Sequence, residues 1–94
     1  MALLWSYVLV LDDTIARQEA ISLVDKLPAV KNWYACMDHV VFLVSDNVAS
    51  DLAATLRPHL GKRRFLLMDA GTDRNGWLPK QAWEFMRTPR AIRK

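Results

Sequence analysis

"VKNWYACMDHVVFLVSDN", Val30 to Asn47, holds two strand-like runs with almost nothing between them. Val30 to Met37 and His39 to Ser45 are rich in β-branched and aromatic residues, the types that fit a pleated, half-buried surface. Only Asp38 parts them, so the two runs are predicted to fold back on each other as an antiparallel hairpin. The closing "SDN", Ser45 to Asn47, is a run of helix N-cap residues. Val48, Leu52 and Leu56 follow at helical spacing, and Pro58 and Gly61 are expected to end that helix.

Working outward toward the N-terminus, Leu3 to Leu11 reads as a strand with apolar residues on both faces, ending at Asp12 and Asp13. Thr14 to Lys26 follows as a helix whose Ala20, Ile21, Val24 and Leu27 form one stripe, with Pro28 as its stop. Acids at such a position either cap the helix or stand as strand-end carboxylates free for chemistry; Asp13 suits the cap, and Asp12 leaves both roles open. Toward the C-terminus, Arg64 to Asp69 reads as a fourth strand and Ala70 to Gly76 as a loop marked by Asn75-Gly76. Pro79 then opens a short helix reaching about Arg87, with Trp83 and Met86 one turn apart.

The resulting order β-α-β-β-α-β predicts an α+β fold of the ferredoxin-like sandwich type, one antiparallel sheet with two helices on one face. Residues 1–87 are expected to form that domain, including the short C-terminal helical segment, and residues 88–94 a basic tail. Two helices cannot cover both faces of a sheet. The second face therefore needs the Trp77 to Met86 segment, a second copy of the chain, or both, and a homodimer is predicted with Trp5, Tyr7, Trp77 and Trp83 as interface anchors.

Composition agrees with one small domain: 94 residues, 52% hydrophobic and 24% charged, are enough for a core and too few for two. The single Cys36 excludes an internal disulfide and suits a cytoplasmic setting. The run Ala2 to Leu11 has no basic start and is too short to cross a bilayer, so no membrane partner is expected. Charge is uneven: residues 1–47 hold three Lys/Arg against six Asp/Glu (net −3), and residues 48–94 hold ten against four (net +6). That imbalance admits a polyanion on the second half or pairing between opposite halves of two copies.

Four stretches together carry a resemblance: "YVLVLDD" (Tyr7 to Asp13), "MDHVVFLVSD" (Met37 to Asp46), "LAATLRPHL" (Leu52 to Leu60) and "GWLPKQAWEFM" (Gly76 to Met86). They resemble the small CRISPR-associated adaptation nucleases (the second Cas protein) and, more closely, their SinR-like relatives. Leu11 and Phe42 depart from the tyrosine and tryptophan that relatives often carry there. The resemblance implies a ferredoxin-like homodimer in which the acid ending the first strand, here Asp12, faces its symmetry mate and holds a divalent metal. Its members are metal-dependent endonucleases on RNA or DNA, or non-catalytic dimers that hold DNA for a partner.

On that pattern Asp12 would be both metal ligand and catalytic residue, with Mg²⁺ as cofactor. One carboxylate per chain suffices only when a two-fold axis doubles it, because magnesium takes one or two carboxylates plus waters and phosphate oxygens. The metal would polarise a phosphodiester and acidify a bound water. The alternative is a dimeric module without catalysis, binding nucleic acid or a protein partner. Arg57, Lys62, Arg63 and Arg64, with Arg87 and Arg90, are the candidate phosphate contacts, and a solvated rim explains the same charges.

Three weaker patterns add little. Cys36 and His39 have a C-x-x-H spacing without two further soft ligands nearby. The tryptophans could stack bases, although such residues more often anchor cores and interfaces. An RNA-recognition-motif platform is disfavoured because "HVVFLVS" has no glycine and one aromatic residue.

Overall fold

The computed structural model describes residues 3–71 and 74–90, apart from the Cys36 side chain. The chain runs β1 (Trp5–Leu11), α1 (Arg17–Lys26), β2 (Asn32–Met37), β3 (Val40–Ser45), α2 (Ala49–Leu60), β4 (Phe65–Asp69) and α3 (Lys80–Arg87). The four strands form one antiparallel sheet in the order β2-β3-β1-β4. The architecture is α+β, a four-stranded antiparallel sheet with three helices.

Strand alternation divides the apolar residues between the two faces of this sheet. Tyr7, Leu9 and Leu11 of β1 and Val41 and Leu43 of β3 pack with Ala20, Leu23 and Val24 of α1 and Leu52, Leu56 and Leu60 of α2 in one buried core. Phe42, with Val8 and Val40, lies on the other face under Ala82 and Met86 of α3. The amphipathic stripes explain the sides taken: each helix buries only the residues that recur every three or four positions.

Local chemistry moves several boundaries. α1 starts at Arg17 and not at Thr14, because Asp12 to Ile15 form a turn of their own, closed by the Ile15 N–H donating to the Asp12 carbonyl at 3.0 Å. Its N-cap is Ala16, with no side-chain capping bond, so Asp13 does not cap the helix. The "SDN" run is likewise no cap. Ser45 Oγ accepts the Asn47 N–H at 3.0 Å, and α2 starts only after an N-cap at the exposed Val48.

α2 also runs through Pro58 to Leu60. Proline removes one helical N–H bond, but stopping earlier would leave Leu60, 1% exposed, outside the core. Gly61 then takes φ +64°, a left-handed conformation in which a side chain would be strained, and its N–H closes the helix on the Arg57 carbonyl at 3.2 Å. The β2–β3 hairpin forms as expected: Met37 pairs with Val40 around the turn at Asp38 and His39, with an irregularity between Tyr34 and Met37. Of the expected tail, residues 88–90 continue past α3, and residues 91–94 lie outside the described residues.

Candidate functional site

Asp12 sits half-buried just past β1, where its backbone N–H donates to the Arg64 carbonyl at 3.0 Å. Its Oδ1 accepts the Thr14 N–H at 2.9 Å, a local side-chain-to-backbone turn of the kind short acids favour. Hydrogen bonds from Thr14, backbone first and then side chain, favour the charged form and hold the carboxyl below its usual 3.8. The group is thus an ionised carboxylate with a structural job already in hand. Beside it, the Leu11 N–H donates to the His39 carbonyl at 2.9 Å, and the His39 Nδ1 is buried with no hydrogen-bond partner among the described residues. Among the described residues no three His, Cys, Asp or Glu side chains gather as a metal site. The Cys36 side chain of the C-x-x-H pattern lies outside what is described.

The cationic cluster after α2 is less free than its sequence suggests. The Arg57 guanidinium donates to the carbonyls of Gly61 and, at 2.6 Å, of Arg63, and stacks 4.9 Å over the Phe65 ring. Arg63 forks onto Glu19 with bonds of 2.9 and 2.6 Å and also donates to the Leu60 carbonyl. The pair lowers the Glu19 carboxyl and raises the Arg63 guanidinium, hydrogen bonding being the larger cause in both. Both arginines thus tie the α2–β4 connection together. Lys62 and Arg64 stand exposed beside them, and Arg87 and Arg90 stand exposed at the end of α3.

The expected interface aromatics separate in the same way. Trp77 is 99% exposed. Trp5 is half-buried against the α1/α2 core and Trp83 against the α3 cluster. Tyr7 is a correction: it is 3% exposed inside the single chain, its hydroxyl donating to the Asn47 carbonyl at 2.7 Å, so it offers no surface to a partner. Burial first, and then the charge of Asp69 opposite it in the β1–β4 register, raise its phenol above 10.0.

What sequence reasoning missed is a strip on β4. Leu66 and Met68 point to the α3 face and are 52% and 44% exposed, opposite Val10 and Val8 in register. α3 packs toward β1, β2 and β3, leaving the β4 side of that face open. The alternation in "RFLLMD" carried the signal, but which face lacked cover depended on where α3 would land.

No helix among the described residues is long and apolar enough to cross a membrane. No protein-family model matches the chain, and searches of curated proteins and of solved structures return no match.

Proposed function

We propose that the chain works as a homodimer on a ferredoxin-like sandwich, a non-catalytic module that binds nucleic acid through its basic second half, in keeping with its resemblance to the SinR-like and CRISPR-associated adaptation group. One observation carries this reading: β4 presents Leu66 and Met68 on an open half-face at the edge of the sheet. Apolar side chains side by side on an edge strand invite pairing with another surface. A two-fold axis brings the same strip from two copies together, which closes the pairing at a dimer. Lys62, Arg64, Arg87 and Arg90 remain exposed for phosphates, whereas Arg57 and Arg63 are engaged within the fold.

Binding of single- and double-stranded oligonucleotides as a function of salt tests the nucleic-acid part. The affinity is expected to fall steeply with salt and to survive Asp12→Ala. Lys62→Ala with Arg64→Ala should lower it for every sequence alike. Salt-independent or absent binding would instead leave a protein-interaction module.

A second reading, a magnesium-dependent phosphodiester endonuclease, is favoured by one feature. Asp12, held ionised just past β1, and His39 in the β2–β3 turn, whose Nδ1 is buried without a partner among the described residues, lie at the same end of the sheet. If a two-fold axis passes there, two carboxylates and phosphate oxygens complete a magnesium shell, and the ion would acidify the attacking water. EDTA-sensitive cleavage lost in Asp12→Ala supports this reading. Its absence with magnesium and manganese supports the module.

A further inference from the structure

A groove of about 500 Å³ runs between the outer edge of β2 and the C-terminal end of α3, with Asn32, Tyr34, Glu84, Phe85, Arg87 and Arg90 in its lining. β2 and β4 are opposite edges of the sheet, so the groove and the open β4 strip do not compete.

Its base is aromatic. The Tyr34 and Phe85 rings meet with centroids 6.1 Å apart at 37°, and Tyr34 leans on Phe42 at 6.4 Å. Both Tyr34 and Phe85 keep part of their surface uncovered. Asn32 is 6% exposed, and its Oδ1 accepts the Trp33 N–H at 2.9 Å. A backbone N–H donates, so the oxygen is the end facing Trp33 and the amino group is the other. Among the described residues His39 Nδ1 is the buried side-chain atom left without a partner, and Asn32 contributes to the groove wall as a further polar side chain. An amide N–H₂ on a groove wall can donate to an acceptor atom of a bound molecule.

The charge at the mouth has the sign that an anion needs, though not by a wide margin. The carbonyl end of α3 is negative, and Glu84 adds a carboxylate, 3.8 Å from the Lys80 ammonium. Against these, Arg87 and Arg90 contribute two guanidiniums, neither of them in an ion pair among the described residues. An anion alone is therefore held weakly, and an anion carrying a flat ring is held by both ends.

We infer that this groove is a site for a nucleotide unit, its base laid against Tyr34 and Phe85, an acceptor atom of the base on the Asn32 amino group, and its phosphate on Arg87 and Arg90. Bases stack on aromatic rings whatever their identity, and guanidinium forks match phosphate oxygens. Glu84 accepts hydrogen bonds from exocyclic amino groups, which favours adenine, cytosine and guanine over thymine and uracil. The site stands apart from the dimer and from Asp12. The nucleotide comes either free or as an unpaired unit of a single strand.

Titration of the full ¹³C,¹⁵N-labelled chain with AMP, followed at the Asn32 side-chain amide and at the ring C–H groups of Tyr34 and Phe85, tests the site. These signals are expected to move together and saturate, and adenosine or inorganic phosphate alone should bind about tenfold more weakly or worse. Arg87→Ala with Arg90→Ala, both exposed, should weaken AMP about tenfold and leave adenosine unchanged. Phe85→Leu should weaken both. An octamer of deoxyadenylate that moves the same signals at lower concentration than AMP assigns the source to a single strand; equal affinity assigns it to the free nucleotide. Asn32 and ring signals that stay fixed with AMP into the millimolar range overturn the site, as does a response that inorganic phosphate alone reproduces. If the octamer moves Lys62 and Arg64 and leaves the groove still, nucleic-acid binding stands and this site falls.

Discussion

The two faces of the sheet are built to different standards. On the α1/α2 side Leu9, Val24, Leu43, Leu52 and Leu56 are 0% exposed, and Ile15 and Val30 seal the ends just as fully. On the α3 side Phe42, Ala82 and Met86 are buried, yet Leu66 and Met68 are about half exposed and Trp77 lies wholly in solvent. Two helices of ten and twelve residues close the first face; one helix of eight closes part of the second. A chain this small has little stability to spare. Apolar side chains left on the second face thus carry a cost that contact with something else would offset, and both the β4 strip and the Asn32 groove lie there.

The largest effect that could break this contrast comes from the closed face. Leu43→Ala removes a side chain packed from all directions and should cost about 2–5 kcal/mol, enough to threaten folding of so small a domain. Urea unfolding checks it. On the open face, Leu66→Lys with Met68→Lys should leave the isolated chain's stability within about 1 kcal/mol of the parent, since surface changes rarely matter more. A loss there matching that of Leu43→Ala would mean the strip belongs to the core.

A smaller effect sharpens the contrast at the one polar tie between α3 and the sheet among the described residues. Ser6 Oγ, 8% exposed with its residue, donates to the Met86 carbonyl at 3.0 Å across 80 residues of sequence. Ser6→Ala leaves that carbonyl without its donor and should cost about 1 kcal/mol. Hydrogen exchange should speed up in α3 and not in α1 or α2. Equal acceleration everywhere would show the two faces unfolding as one.

The smallest effect is electrostatic. Asp12 has its carboxyl lowered in the folded chain, so it contributes stability above its ordinary value of 3.8 that is lost as pH falls through the lowered value. Asp12→Ala should flatten stability against pH in the acid range and slightly destabilise the turn at neutral pH. If two Asp12 carboxylates instead faced each other across a dimer axis, their repulsion would make the variant neutral or stabilising without metal. Thermal melts at pH 7 with and without magnesium separate the two.

The α+β class and all seven elements were legible, because hydrophobic period and turn residues act locally: the hairpin at Asp38, the Leu52–Leu56 stripe and the Pro79 start could each be read within a few residues. The capping residues were not. Asp12 and Ser45 each have an oxygen that can serve a turn or a helix end, and the turn took both. Nor does any local pattern show that Arg63 is already paired, since its partner Glu19 lies 44 residues away in sequence. Tyr7 was misplaced because both faces of β1 are apolar, and only the packing of α1 and α2 decides which one is sealed. The Asn32 groove depends on where α3 lands, and nothing within a few residues of Asn32 carries that.

The mass of the chain in solution tests the dimer most directly. Sedimentation equilibrium over a range of micromolar concentrations should give twice the 10.8 kDa chain mass, and the chain mass alone for the folded Leu66→Lys, Met68→Lys variant. A parent that stays at the single-chain mass throughout, or a variant that stays dimeric, would contradict it.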